Sequence, residues 1–78
     1  MKILLFAQYA EALGRSELEM EVPAGSTVAT VLERITQLAG SERIPPAPMV
    51  AINQTYALLS DAVQPSDEIA IIPPVAGG

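Results

Sequence analysis

The segment of this 78-residue chain best suited to chemistry is its end, Pro73-Pro74-Val75-Ala76-Gly77-Gly78. The two prolines have no N–H to donate, so they stop strand pairing and lead the chain on in extended form. Beyond them come only small or side-chain-free residues, and the one charge is the terminal carboxylate. Val75 to Gly78 span at most about 13–14 Å. Such a tail fits a narrow channel in another protein, where a Cβ at Gly77 would clash, and it delivers the Gly78 carboxylate to chemistry inside. A frayed end is the plainer alternative, since termini are often unstructured. Fraying does not account for a diglycine placed behind a strand that two prolines stop.

Composition removes most other chemistry. The chain has no Cys, no His and no Trp. Disulfide frameworks, thiolate nucleophiles, imidazole bases and the usual zinc sites are therefore excluded. Nine acidic side chains against four basic ones give a net charge of −5, which disfavours nucleic acid as a partner. Glu17, Glu19 and Glu21 lie two apart, and a metal site can be drawn on them, but that spacing reads as the solvated face of a strand. No Gly-rich loop cradles phosphate. If this protein takes part in chemistry, most of the catalytic equipment belongs to a partner, and no cofactor is expected on this chain.

The elements that carry the tail follow from hydrophobic periodicity. Lys2 to Gln8 is an apolar run that fits a buried strand. Tyr9 to Leu13 are good helix formers, with Gly14 placed to stop a helical turn. From Ser16 to Val22 the chain alternates, with Leu18, Met20 and Val22 on one face. Val22-Pro23-Ala24-Gly25 reads as a turn with Pro second and Gly fourth. Ser26 or Thr27 can then cap a helix with a side-chain oxygen. Inside it Val28, Val31, Leu32, Ile35, Leu38 and Ala39 form one apolar stripe, and Gly40 closes it. Ser41 to Pro48, with three prolines, is a connector. Met49 to Ile52 and Tyr56 to Leu59 are strands about an Asn53-Gln54 turn, Ser60 to Asp67 is a loop, and Glu68 to Ile72 is the last strand.

One main helix packed across a small mixed sheet of about five strands buries one stripe against one sheet face. The expected class is α+β, a ubiquitin-like β-grasp, with the first and last strands side by side at the centre. Residues 1–78 make a single domain, with 73–78 as an extended C-terminal tail. In the last strand Ile69 and Ile71 alternate with Ala70 and Ile72, so one pair faces out. If Ile72 does, Tyr56 and Phe6 or Leu4 join it in an exposed apolar patch beside the tail, of the kind that marks a partner surface. The alternative for each of these residues is an ordinary place in the core.

Three stretches together resemble the small, sulfur-carrying subunits of molybdopterin synthase. They are Ile3-Leu4-Leu5-Phe6-Ala7-Gln8 leading through Glu11-Ala12-Leu13-Gly14, then Val50-Ala51-Ile52-Asn53-Gln54, then the Pro73-Pro74-Val75-Ala76-Gly77-Gly78 end. The resemblance covers essentially the whole chain. It departs where family members often carry Arg-Glu-Leu and this chain has Ala10-Glu11-Ala12-Leu13. The resemblance implies that an E1-like adenylating enzyme, using ATP and Mg, activates the Gly78 carboxylate. A sulfur donor protein then converts it to a thiocarboxylate. The loaded tail docks in the large subunit of molybdopterin synthase, in a heterotetramer, and gives its sulfur to a cyclic pyranopterin monophosphate. Phe6, Tyr56, Ile72, Pro73, Pro74, Val75 and Ala76 would meet the partner, with Gly77 threading the channel.

Rival readings keep the tail and change its use. A carrier for thiamin thiazole or cysteine synthesis shares the Gly-Gly end. A ubiquitin-like modifier would be attached through Gly78, and this chain's one lysine, Lys2, offers little for building chains on itself. A plain interaction domain with an inert tail belongs to a third class. No stretch reaches the roughly 20 apolar residues of a membrane span. The Ile3–Ala7 run is shorter than a secretory core and is interrupted by Gln8. A cytoplasmic protein that meets neither membrane nor nucleic acid is expected.

Overall fold

A computed structural model describes residues 1–38 and 48–73. The elements run β1 (Lys2–Leu5), α1 (Gln8–Leu13), β2 (Glu17–Glu19), α2 (Val28–Ile35), β3 (Met49–Ile52), β4 (Thr55–Ala57) and β5 (Glu68–Ile72). The five strands form one mixed sheet in the order β2-β1-β5-β3-β4. β1 and β5 pair in parallel at its centre, as their apolar character predicts, and the other pairings are antiparallel. This is the β-grasp arrangement.

Register sorts the residues onto two faces. Leu18, Ile3, Ile69 and Ile52 lie in one row across β2, β1, β5 and β3. Leu5, Ile71, Val50 and Ala57 lie in the next row on the same face. Against these rows pack Tyr9 of α1, Val28, Val31 and Ile35 of α2, and Val63. Ile3, Tyr9, Val28, Val31, Val63 and Ile69 are wholly buried. Each such aliphatic side chain contributes roughly 1.5–3 kcal/mol of burial free energy.

Several boundaries differ from the sequence reading, each for a local reason. β1 ends at Leu5, because Ala7 takes φ 49° to open α1. Gly14 ends α1 in the left-handed conformation, as expected. The turn after Val22 sits one residue later than proposed. Pro23 is its first residue, Ser26 N–H donates to the Pro23 carbonyl, and Gly25 at the third position takes φ 88°. A positive φ there is what type II turns require, so glycine is needed third rather than fourth.

The main helix is shorter than its apolar stripe. α2 stops at Ile35, a turn follows, and Leu38 is exposed rather than in the core. Ala39, Gly40 and most of the proline-containing connector lie outside the described residues. Thr27 is the N-cap of α2, yet neither it nor Ser26 caps by side chain. Ser26 Oγ donates to the Pro23 carbonyl instead. The first helical N–H groups go to the segment after β4: Val28 N–H donates to the Asp61 carbonyl and Ala29 N–H to the Leu59 carbonyl, both at 3.0 Å. That segment is therefore built into the helix start, with Val63 anchored beneath it. Tyr56 to Leu59 is correspondingly not one strand, for Leu58 and Leu59 sit in a turn that Asp61 closes by accepting the Leu58 N–H.

Candidate functional site

The remaining side chains of the sheet define its second face. One row crosses all five strands: Glu17, Leu4, Ala70, Ala51 and Tyr56 on β2, β1, β5, β3 and β4. The next row toward the end of β5 pairs Ile72 with Met49. Phe6 follows β1 at the same end, and its N–H donates to the Ile71 carbonyl at 3.3 Å. These residues frame a shallow depression lined by Leu4, Phe6, Ala51, Gln54, Tyr56, Glu68, Ala70 and Ile72. Phe6 is 46% exposed and Tyr56 67% exposed, while Ile72 is half-buried.

The alternation left open in the last strand thus resolves. Ile69 and Ile71 face the core, and Ala70 and Ile72 face out. The structure brings Phe6, just past β1, together with Tyr56 of β4 and Ile72 of β5, with Leu4 beside them. Pro73 follows β5 directly and lies outside the strand. Pro74, Val75, Ala76, Gly77 and Gly78 lie outside the described residues. Ala51, Gln54, Glu68 and Ala70 also line the depression and were not singled out from sequence. Their signal was the period of two, readable only once Tyr56, Ala51 and Ala70 are known to be register partners.

Electrostatics around the site are simple. Glu17 and Glu19 flank Leu18 on an exposed strand, and Glu17 meets Lys2 Nζ at 3.9 Å. An exposed pair of that length contributes little. No group of three or more acidic side chains among the described residues could hold a metal ion. Burial pushes the Tyr9 phenol above its ordinary value, but Tyr9 belongs to the opposite, core face. Chemically the depression is suited to binding: it offers apolar surface, the Gln54 amide and the Tyr56 phenol, with Glu68 at its margin.

A family model, the ThiS family, matches residues 3–78. The chain belongs to the ThiS family. The chain is also similar to the molybdopterin synthase sulfur carrier subunit of Arabidopsis thaliana, 38% identical over all of this chain and 82% of that protein. The subunit of the same name from Haemophilus influenzae is 36% identical over all of this chain and 99% of its own length. Among solved structures, a small archaeal modifier protein of Haloferax volcanii superposes with a TM-score of 0.80 at 25% identity, over 95% of each chain. The family's fold is the β-grasp described above, and no helix among the described residues is long and apolar enough to cross a membrane.

Proposed function

We propose that this protein is the sulfur carrier of a molybdopterin synthase, working in the cytoplasm as the small subunit beside a large catalytic one. The observation that carries the reading is the apolar depression of Phe6, Tyr56 and Ile72 at the end of β5, from which the chain runs on to Gly77 and Gly78. Full-length similarity to sulfur carrier subunits supports it.

The chemistry needs little from the chain itself. A carboxylate is a poor electrophile until it becomes a mixed anhydride. An E1-like partner holding ATP and Mg lets the Gly78 carboxylate attack the α-phosphate, expelling pyrophosphate. Hydrosulfide released by a donor protein then attacks the acyl carbon, the new C–S bond replaces the C–O bond to AMP, which leaves, and a thiocarboxylate remains. Its sulfur is the nucleophile toward the cyclic pyranopterin monophosphate in the large subunit. A dithiolene holds two sulfurs, so two carriers discharge for each product, which suits an assembly with two copies of each subunit. The folded body contributes positioning: gripped by its outer face, it holds one sulfur near its target at high effective concentration.

Reconstitution tests this. Thiocarboxylated protein plus a large synthase subunit should convert the precursor to molybdopterin, and the protein lacking Gly78 should not. Failure there, with success in thiazole synthesis, would move the assignment to a thiamin carrier. The likeness to a small archaeal modifier favours one other reading, attachment of Gly78 to other proteins. Intact mass separates the two: a gain of about 16 Da from oxygen-to-sulfur exchange marks a carrier, and isopeptide adducts in cell extract mark a modifier.

A further inference from the structure

We infer that Asn53 is a positioning residue that locks the Gln54–Tyr56 side of the outer-face depression to the start of β5 and so presets the surface the large subunit binds. The β3–β5 ladder ends at the Ile52–Ile69 pair. The chain must then reverse, and Asn53 and Gln54 take φ 49° and 72° to do so. Both values are positive, the pattern of a type I′ hairpin turn. A residue in that conformation leaves the strand, and regular pairing with β5 stops.

Asn53 continues the pairing with its side chain. Its N–H donates to the Glu68 carbonyl at 2.8 Å, and its Oδ1 accepts the Glu68 N–H at 3.0 Å. Its Nδ2 donates to Asp67 Oδ1 at 2.9 Å. Asp67 is itself held, for its Oδ2 accepts the Gln64 N–H at 2.7 Å and its carbonyl accepts the Lys2 N–H at 3.3 Å. The amide thus ties the hairpin to a turn already fastened to β1. Few residues can do this. Asparagine tolerates the left-handed region and carries one acceptor and two donor hydrogens on a short arm.

The consequence falls on the depression. β4 has three residues, is a sheet edge, and pairs only with β3. A short edge strand is drawn from the low-stability end of a fold. Gln54 and Tyr56 stand on the hairpin, and Glu68, Ala70 and Ile72 face them from β5. The Asn53 amide holds these two sides at one spacing, so Tyr56 need not be ordered when the partner arrives, a saving that appears as affinity.

This rests on the outer face being the docking surface, and the test separates the two. Asn53→Asp keeps shape and acceptor, removes the donor, and sets a second carboxylate against Asp67. With the variant verified as folded by circular dichroism, its affinity for the large subunit should fall roughly tenfold, about the worth of one charge-assisted bond. Asn53→Gly, which accepts the positive φ, should lose a similar factor. In a Tyr56→Ala background the Asn53→Asp loss should largely vanish, whereas in a Phe6→Ala background it should persist. Backbone NMR order parameters at residues 54–57 should drop in Asn53→Asp while those of β1 hold, a readout that needs no partner. Unchanged order at 54–57, or full additivity with Tyr56→Ala, overturns the assignment. Parent-like binding by Tyr56→Ala alone would instead reject the docking face, and the order parameters would still decide whether Asn53 locks the hairpin.

Discussion

Ile69 and Ile72 show at the residue scale how little of a side chain's role lies in its type. Both are isoleucines on β5, three apart, one wholly buried and one facing out. Ile69→Ala should cost about 2–5 kcal/mol of stability by urea unfolding, as deletions in a packed core do. Ile72→Lys should leave the body folded and weaken large-subunit binding by about a hundredfold or more in calorimetry. Unaltered binding, or a collapsed carrier, would reject the outer face as the docking surface. Tyr9 gives a pH prediction. Its phenol is buried and its pKa lies above the ordinary 10.0. The folded state therefore holds this proton more tightly than the unfolded chain. Stability is unaffected by Tyr9 below the ordinary value and falls as pH climbs from it toward the raised folded value. Urea midpoints should start to drop as pH rises through the ordinary tyrosine value of about 10, and less steeply in Tyr9→Phe.

Among the elements, α2 is instructive because its start is closed by backbone from elsewhere. Thr27 holds the cap position without a side-chain bond, while the Asp61 and Leu59 carbonyls take the first two N–H groups. Thr27→Ala should therefore cost well under the ~1 kcal/mol usual for a cap. Asp61→Ala, which frees the Leu58 N–H and loosens that segment, should cost more, about 1–2 kcal/mol by thermal or urea unfolding. Equal losses would contradict this account of the helix start. The same element marks the reach of sequence reading. Helical spacing located the stripe of Val28, Val31 and Ile35, because amphipathic period is a local property. It carried the stripe on to Leu38, since hydrophobicity alone does not say where a helix ceases to face a sheet. The turn at Pro23 was legible as a turn, yet its register depended on where Gly25 supplies a positive φ. The turn of the β3–β4 hairpin was placed correctly because Asn53-Gln54 is local turn chemistry between apolar runs.

At the scale of the whole molecule, the described residues cover one sheet face with α1 and α2, and the proposed carrier role puts the chemistry on the Gly78 carboxylate. Deleting Gly78 should leave the urea midpoint within error of the parent, because core and sheet lie in the residues before the tail, while sulfur transfer falls to background. A destabilised truncation would mean the last residue is structural. The amino acid sequence alone excluded thiol and imidazole chemistry, since the chain has no Cys and no His and composition is independent of folding, and it offered the Gly78 carboxylate on which the proposed role rests. It also determined the kinds and order of the elements, because turn residues and periodicity act over a few neighbours. The tertiary structure decided which isoleucines of β5 face out, that Ala51 and Ala70 floor a depression, and that Asn53 reaches Asp67 fourteen residues away. Those are consequences of register among strands distant in the chain, and pairing energy is spread over the whole sheet rather than written in any one segment.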